Sequence, residues 1–134
     1  MIALDSNTVI FAISGRMPRV RKKLEETLLS NTPVGIPAIV LYDIQFGIGK
    51  SARRAENGAA FAAFLTLGFD LWAFDAPDAE EAGDVRAVLE KSGTPIGPYD
   101  ILIAAQARRR GATLITANTA EFTRVPGLKT EDWS

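Results

Sequence analysis

The sequence predicts an α/β protein: a single three-layer α/β/α domain over residues 1–134, built on a central parallel sheet of about five short strands. Three observations predict it. Short apolar runs, among them Ile2-Ala3-Leu4, Val34-Gly35-Ile36 and Ala112 to Thr116, alternate with longer segments of helical spacing. Turn formers such as Asn31-Thr32-Pro33, Gly68, Gly93 and Gly111 separate the segments. No repeat, linker or low-complexity tract divides the chain, and 134 residues fit one domain with a real core.

Taken in order, Ile2-Ala3-Leu4 reads as a buried strand ending in a polar corner, Asp5-Ser6-Asn7, which caps a helix running through Ser14 and closed by Gly15. Pro18 to about Ser30 is an amphipathic helix, apolar at Val20, Leu24, Leu28 and Leu29, with a basic first half read as a solvated face. Val34 to Ile36 is the second strand. Pro37 starts a mostly apolar helix with Asp43 inside it, weakened at its end by Gly47 and Gly49 and followed by a polar stretch at Lys50, Arg53 and Arg54. Ala59 to Leu67 is another helix. Phe69 to Phe74 alternates as a third strand with Asp70 facing out. Asp75 and Pro77 open a helix to about Ser92, with Gly93 as its stop. Pro98 begins the next helix and puts Asp100 in its first turn, where the dipole favours an anion; Ile101, Ile103, Ala104, Ala105 and Ala107 behind it suit close packing. Ala112 to Thr116 is the fourth strand, Ala117-Asn118-Thr119 turns into Glu121-Phe122, and Leu128 to Thr130 is the final strand.

Composition narrows the chemistry. Hydrophobic residues make up 47% and charged residues 23%, as in a globular protein. No apolar run approaches the ~18 residues of a membrane span, and the N-terminus lacks the features of a signal peptide, so no membrane association and a cytoplasmic location are expected. The chain has no cysteine and no histidine. That excludes disulfides, zinc–thiolate sites, His-ligated zinc and Ser-His or Cys-His nucleophiles. Any chemistry rests on carboxylates, hydroxyls, amides, Lys, Arg or a bound cation. The net charge of −1 gives no global attraction for nucleic acid.

The acids fall where a parallel sheet brings groups together. Asp5 ends strand one, Asp43 lies on the helix after strand two, Asp100 starts the helix before strand four, and Asn118 and Glu121 follow strand four. Carboxylates gathered without compensation repel, so one titrates high or a cation binds. An oxygen-only set suits Mg²⁺ or Mn²⁺, and a hard divalent cation suits phosphodiester hydrolysis. Each acid also has a plain structural reading: Asp5 as a helix cap, Asp100 as a first-turn acid, Asn118 and Glu121 as turn formers, Asp43 as an outward-facing side chain.

Four motifs, in order, extend the reading: Leu4-Asp5-Ser6-Asn7; Leu41-Tyr42-Asp43-Ile44-Gln45-Phe46-Gly47-Ile48; Pro95-Ile96-Gly97-Pro98-Tyr99-Asp100 with Ile103-Ala104-Ala105; and Ile115-Thr116-Ala117-Asn118-Thr119-Ala120-Glu121-Phe122. With the closing Val125-Pro126-Gly127-Leu128 and Glu131-Asp132-Trp133, nearly the whole chain resembles the PIN-domain ribonucleases, and within them the VapC toxins of bacterial toxin–antitoxin pairs. The resemblance implies a Mg²⁺-dependent (or Mn²⁺-dependent) endoribonuclease, with Asp5 and Asp100 as the principal metal-binding carboxylates. It implies catalytic roles for Asp43, Asn118 and Glu121, and support from Ser6, Asn7 and Thr116. It also implies a VapB-type antitoxin, a homodimer, and operator DNA reached only through the antitoxin. Asp43 stands where the family normally has glutamate, and Ala117 where close relatives often have Asn.

Two alternatives stay open. One is a PIN-fold protein of weakened catalysis that acts mainly as an antitoxin-binding and autoregulatory partner. The other is a doubly wound signalling domain with Asp5 as phospho-acceptor, for which the expected acid pair and lysine are not evident. No RNA-binding residues are assigned: Arg108, Arg109 and Arg110 sit at a helix end, where a structural role is preferred. Ile39, Phe46, Phe61 and Phe64 exceed what a small core obviously needs and are expected to line a groove for an antitoxin helix, near residues 37–48 and 59–67.

Overall fold

A computed structural model describes all residues, 1–134. Five strands, β1 (Ile2–Leu4), β2 (Val34–Pro37), β3 (Asp70–Trp72), β4 (Thr113–Ile115) and β5 (Lys129–Glu131), form one sheet in the order β3-β2-β1-β4-β5. All four pairings are parallel. The seven helices are α1 (Ser6–Ser14), α2 (Pro18–Leu29), α3 (Ala38–Lys50), α4 (Arg54–Leu65), α5 (Ala76–Lys91), α6 (Pro98–Arg109) and α7 (Thr119–Phe122). The chain walks outward from β1 to β3, then returns through α5 and α6 to the other side of β1. Right-handed crossovers on a sheet that reverses direction in this way cover both faces, giving three layers. The reversal lies between β1 and β4, and in such sheets the crevice opens at the strands' C-terminal ends there.

Burial on both faces explains the strand sequences. Ala3, Leu4, Val34, Ile36, Leu114 and Ile115 are all at most 2% exposed, as continuous apolar runs in a covered parallel sheet should be. Against them α6 presents Ile103, Ala104, Ala105 and Ala107, all buried, whose short side chains bring the helix close. β3 is an edge strand, with Asp70 and Leu71 both exposed. It is shorter than the expected 69–74. Its ladder with β2 ends opposite Pro37, which has no N–H, and the Trp72 and Ala73 carbonyls accept instead from Gln106 Nε2 at 3.3 and 3.1 Å. The Trp72 indole lies over Gly35, where a β-carbon would come within 2.0 Å of the ring, so that position tolerates only glycine.

Helix boundaries differ from expectation at α3 and α4. Gly47 and Gly49 do not stop α3, which continues to Lys50. α4 begins at Arg54 rather than near residue 59, because Ser51 Oγ accepts from Arg53 N (3.0 Å) and Asn57 Nδ2 (2.8 Å) and Arg53 pairs with Glu56 in the first turn. At α1, Gly15 supplies the left-handed residue (φ 70°) that closes the helix, as its position predicts.

One ionic centre locks α5 to α6. Asp78 is fully buried and in a capping box with Asp75 at the start of α5. Its carboxylate accepts from Arg109 Nε (2.6 Å), Arg110 Nη1 (2.8 Å) and Gln106 Nε2 (3.2 Å). The Arg110 guanidinium lies 4.6 Å from the Trp72 ring centroid, tying β3 to the same centre. Arg108 pairs with Glu81 at 2.8 Å and donates to the Pro126 carbonyl at 3.1 Å. The three arginines are therefore structural, as preferred from sequence.

Burial on its own would raise the Asp78 pKa; hydrogen bonds from Arg110 and Arg109 overcome this and hold it well below the usual carboxylate range. A depressed native pKa stabilises the fold above the unfolded value near ~3.9, and that stabilisation is lost as pH falls below it. Asp78→Ala removes the buried partner of both guanidiniums, leaving Arg110 without a carboxylate and Arg109 with only its 3.3 Å contact to Asp75, and is expected to cost about 3–5 kcal/mol at pH 7, measured by urea unfolding. The difference from the unsubstituted chain should shrink below about pH 4.

Candidate active site

The end of β1 and the start of α1 set the first carboxylate. Asp5 N donates to the Ile115 carbonyl (3.2 Å), which extends the β1–β4 register by one residue. Its side chain then caps α1: Oδ1 accepts from Thr8 N at 2.9 Å, and Thr8 Oγ1 donates to the same Ile115 carbonyl at 2.9 Å. One carboxylate oxygen is thus used in the fold. The other is left for the pocket, in a residue only 6% exposed.

The second and third carboxylates come from α3 and α6. Asp43, half-buried on α3, accepts from Ser6 Oγ through Oδ2 at 2.8 Å. Asp100 lies in the first turn of α6, after Gly97 and Pro98. It accepts no hydrogen bond from any side chain or backbone group of the chain. Its pKa is pushed up to about 6, first by burial and then by the charges of Glu121, Asp5 and Asp43.

Glu121 takes a different part. Its Oε1 accepts from Gly97 N at 2.7 Å and its Oε2 from Asn118 Nδ2 at 2.6 Å. The Gly97 amide above all holds its pKa down. Both oxygens are engaged, so Glu121 clamps the loop before α6 to the turn after β4. Thr116, fully buried, fixes that turn by accepting from Asn118 N at 3.0 Å. At Gly97 a β-carbon would sit 3.3 Å from Asp100 Oδ2 and 3.7 Å from Glu121 Oε1, so a bare backbone lets the two acids close on the loop.

These groups surround a pocket of about 320 Å³. Asp5, Ser6, Asn7, Asp43, Asp100 and Asn118 supply its polar wall, and no lysine or arginine lines it. Of the residues singled out from sequence, those six meet there, while Glu121 and Thr116 support them from behind. Two contributors were not singled out: Thr8, which anchors the Asp5 cap, and Gly97. Gly97 stands inside the Pro95–Asp100 motif, and a glycine flanked by Ile96 and Pro98 is the signal that marks it.

No group of three acidic side chains is arranged to hold a metal ion on its own. The donor set nonetheless fits a hard divalent cation. Mg²⁺ is bound through one or two carboxylates and keeps several waters, and Asp5 and Asp100 each offer unengaged oxygen in a pocket with excess negative charge. A cation there would relieve the repulsion that raises Asp100.

On its other side the pocket adjoins a larger apolar cleft of about 490 Å³, where Ile13, Ile48, Ala60 and Phe61 line the wall and Asp43 and Ile44 are shared with the acidic pocket. A second cleft of about 320 Å³ continues it between α2 and α4, past Leu24, Leu28 and Phe64. The expected groove therefore runs against α1 and α2 as well as α3 and α4. The side chains expected to line it divide: Phe61 (2% exposed) and Phe64 (8%) are core residues that show one edge to it, Ile39 is half-buried, and Phe46 is exposed and lines neither cleft. Packing between α1, α3 and α4 accounts for Phe61 and Phe64 but not for Phe46.

The model for the PIN domain matches residues 2–128. The chain is 38% identical over 131 residues to the tRNA(fMet)-specific endonuclease VapC of Shigella flexneri, covering 98% of this chain and 96% of that protein. Among solved structures it is similar to VapBC2 from Rickettsia felis bound to a DNA fragment from its promoter, at 34% identity and a TM-score of 0.93 with complete coverage of both chains. DNA-bound VapBC from Salmonella typhimurium gives 34% identity and a TM-score of 0.90, again with complete coverage of both chains. A matched domain that spans almost every residue, and relatives similar from end to end, lead to one conclusion: the chain belongs to the PIN-domain family, and within it to the VapC ribonucleases.

Proposed function

We propose that the chain is the toxin of a type II toxin–antitoxin pair, a divalent-metal-dependent endoribonuclease that hydrolyses RNA phosphodiesters. The observation that carries this reading is Asp100: a carboxylate without a hydrogen-bond donor, pushed up to about 6 among three other acids, in a pocket with no cationic side chain. Such a pocket is complementary to a cation and, through it, to a phosphate. The relatives' names support the same reading, and tRNA(fMet) is the first substrate to test because the Shigella flexneri relative is named for it.

Asp5 and Asp100 would hold Mg²⁺ or Mn²⁺, which when bound acidifies water into a nucleophile at neutral pH and offsets charge on the phosphoryl group. The chain's own groups do the positioning. Thr8 and the Ile115 carbonyl fix Asp5, so its free oxygen is presented without reorganisation. Ser6 holds one oxygen of Asp43, leaving the other to orient a water or accept its proton. Glu121, through Asn118 and Gly97, keeps the α6 start and the β4–α7 turn at a set separation.

A VapB-type antitoxin is the proposed partner, with an amphipathic helix seated in the apolar clefts between α1–α2 and α3–α4. Because the larger cleft shares Asp43 and Ile44 with the acidic pocket, a chain leaving it would reach the catalytic groups. A homodimer, and operator DNA contacted only through the antitoxin, complete the proposal. A second reading, a PIN-fold partner of weakened catalysis, is favoured by one observation: the short Asp43 carboxylate is drawn to Ser6.

Incubation with tRNA(fMet) and other structured RNAs separates the two readings. EDTA-sensitive cleavage is expected, and Asp5→Asn should slow it by on the order of 10² or more, as loss of one charge-stabilising group does. Metal-independent cleavage, or full activity in Asp5→Asn, would sink the nuclease proposal. A second outcome concerns reach. Glutamate at 43 extends the carboxylate by about 1.5 Å, one C–C bond. Asp43→Glu is therefore expected to raise the cleavage rate or the affinity for Mg²⁺, measured by titrating the metal into the cleavage assay; no change in either would place Asp43 outside the reaction.

A further inference from the structure

The acidic pocket cannot by itself bind the rest of an RNA chain. Three carboxylates line it and no lysine or arginine does, so a cation would compensate one phosphate while its neighbours meet net negative charge. Affinity for the rest of the substrate has to come from groups beside the pocket: Arg16, in the adjoining cleft, is one cation there, and contacts that need no positive charge can add to it.

Two aromatic side chains neighbour lining residues in the chain without lining the pocket themselves. Tyr42, on α3, and Tyr99, on α6, each immediately precede a pocket carboxylate, Asp43 and Asp100. Their rings come from different elements yet meet with centroids 5.5 Å apart, tilted by 47°. Both are about half exposed, at 55% and 49%, whereas Phe61, Phe64, Phe122 and Trp133 are buried. Phe46 follows Tyr42 one turn along α3 and is 61% exposed; Lys50, a further turn on, lies 4.9 Å from the Phe46 ring centroid. Rings at 42 and 46 with a cation at 50 make a stripe leading away from the acids along one helix face.

We propose that the Tyr42–Tyr99 pair, continued by Phe46 and Lys50, is a stacking platform for unpaired bases of the RNA next to the bond that is cut. An exposed aromatic ring offers its face to any base, and only an unpaired, unstacked base can take it; a duplex keeps its base faces covered. The platform thus selects single-stranded segments, loops or bulges of a structured RNA. Stacking needs no positive charge, so it can sit beside an acidic pocket where a row of arginines would neutralise the metal-binding carboxylates. The inference rests on the ribonuclease reading but makes a separate claim about binding.

The test measures binding apart from cleavage. In the non-cleaving Asp5→Asn background, Tyr42→Ala, Tyr99→Ala, Tyr42→Phe and Tyr99→Phe are titrated with tRNA(fMet), an unstructured oligoribonucleotide and a fully paired RNA duplex, all in Mg²⁺. Each alanine variant should weaken binding of the unstructured oligoribonucleotide by roughly 5- to 150-fold, the range for loss of one stacked base. The phenylalanine variants should stay within about twofold, because the ring and not the hydroxyl does the stacking. Duplex binding should not change. Neither should the salt dependence of oligoribonucleotide binding, since no phosphate contact is lost. Unchanged binding in the alanine variants, or equal loss in the phenylalanine variants, overturns the platform. So does a fall in molecular mass by light scattering in the alanine variants, which would assign the rings to a contact between two copies of the chain. If the unsubstituted chain cuts no RNA but binding still depends on the rings, the nuclease reading fails and the platform stands.

Discussion

Repulsion among carboxylates at the C-terminal ends of β1 and β4 is the constraint around which the site is built. Four acids from four elements approach one another there, and three of them are calmed locally. Asp5 caps α1, Asp43 accepts from Ser6, and Glu121 accepts from Gly97 and Asn118. Asp100 has no such donor, and the cost appears as a pKa of about 6. Because that value lies above the ordinary one, the folded chain binds a proton more tightly than the unfolded chain between about pH 4 and 6. Stability therefore declines as pH rises through that interval, unless a cation takes the proton's place. The charge that makes the site useful is also a charge the fold carries at some expense.

At the other end of α6 the same kind of group has the opposite fate. Asp78 is more deeply buried than Asp100, yet Arg109, Arg110 and Gln106 surround it and hold it ionised. Buried ion pairs of this sort add little net stability over an apolar core but strongly resist losing one partner. Here the centre joins α5, the C-terminal end of α6 and the end of β3, while the start of α6, where Asp100 sits, is held by the Glu121 bond to Gly97.

The parallel sheet, the order of its elements and the convergence of Asp5, Asp43, Asp100 and Asn118 were legible in the sequence because each rests on a local signal: apolar runs, caps, and acids at the ends of elements. What was less legible depends on tertiary partners. The start of α4 is set by Ser51, which no helix pattern points to. β3 stops where Pro37 lacks an N–H on the neighbouring strand, a fact about register rather than about residues 69–74. Phe61 and Phe64 look surplus in the sequence because it does not reveal how much apolar surface α1, α3 and α4 bury among themselves. Type and position group Glu121 with the catalytic acids, while its hydrogen bonds to Gly97 and Asn118, which tie two loops together, have no signal in the sequence.

The proposed role of the acid cluster is to hold a divalent cation through Asp5 and Asp100. Thermal unfolding of the unsubstituted chain and of the Asp5→Asn/Asp100→Asn double variant, across a titration of Mn²⁺ at pH 7, decides whether it does. A cation bound only by the folded state should raise the melting temperature of the unsubstituted chain progressively with concentration. The double variant should melt at a higher temperature than the unsubstituted chain without metal, since its repulsion is gone, and should not respond to Mn²⁺. An equal response to Mn²⁺ in both proteins, or none in either, would contradict the claim.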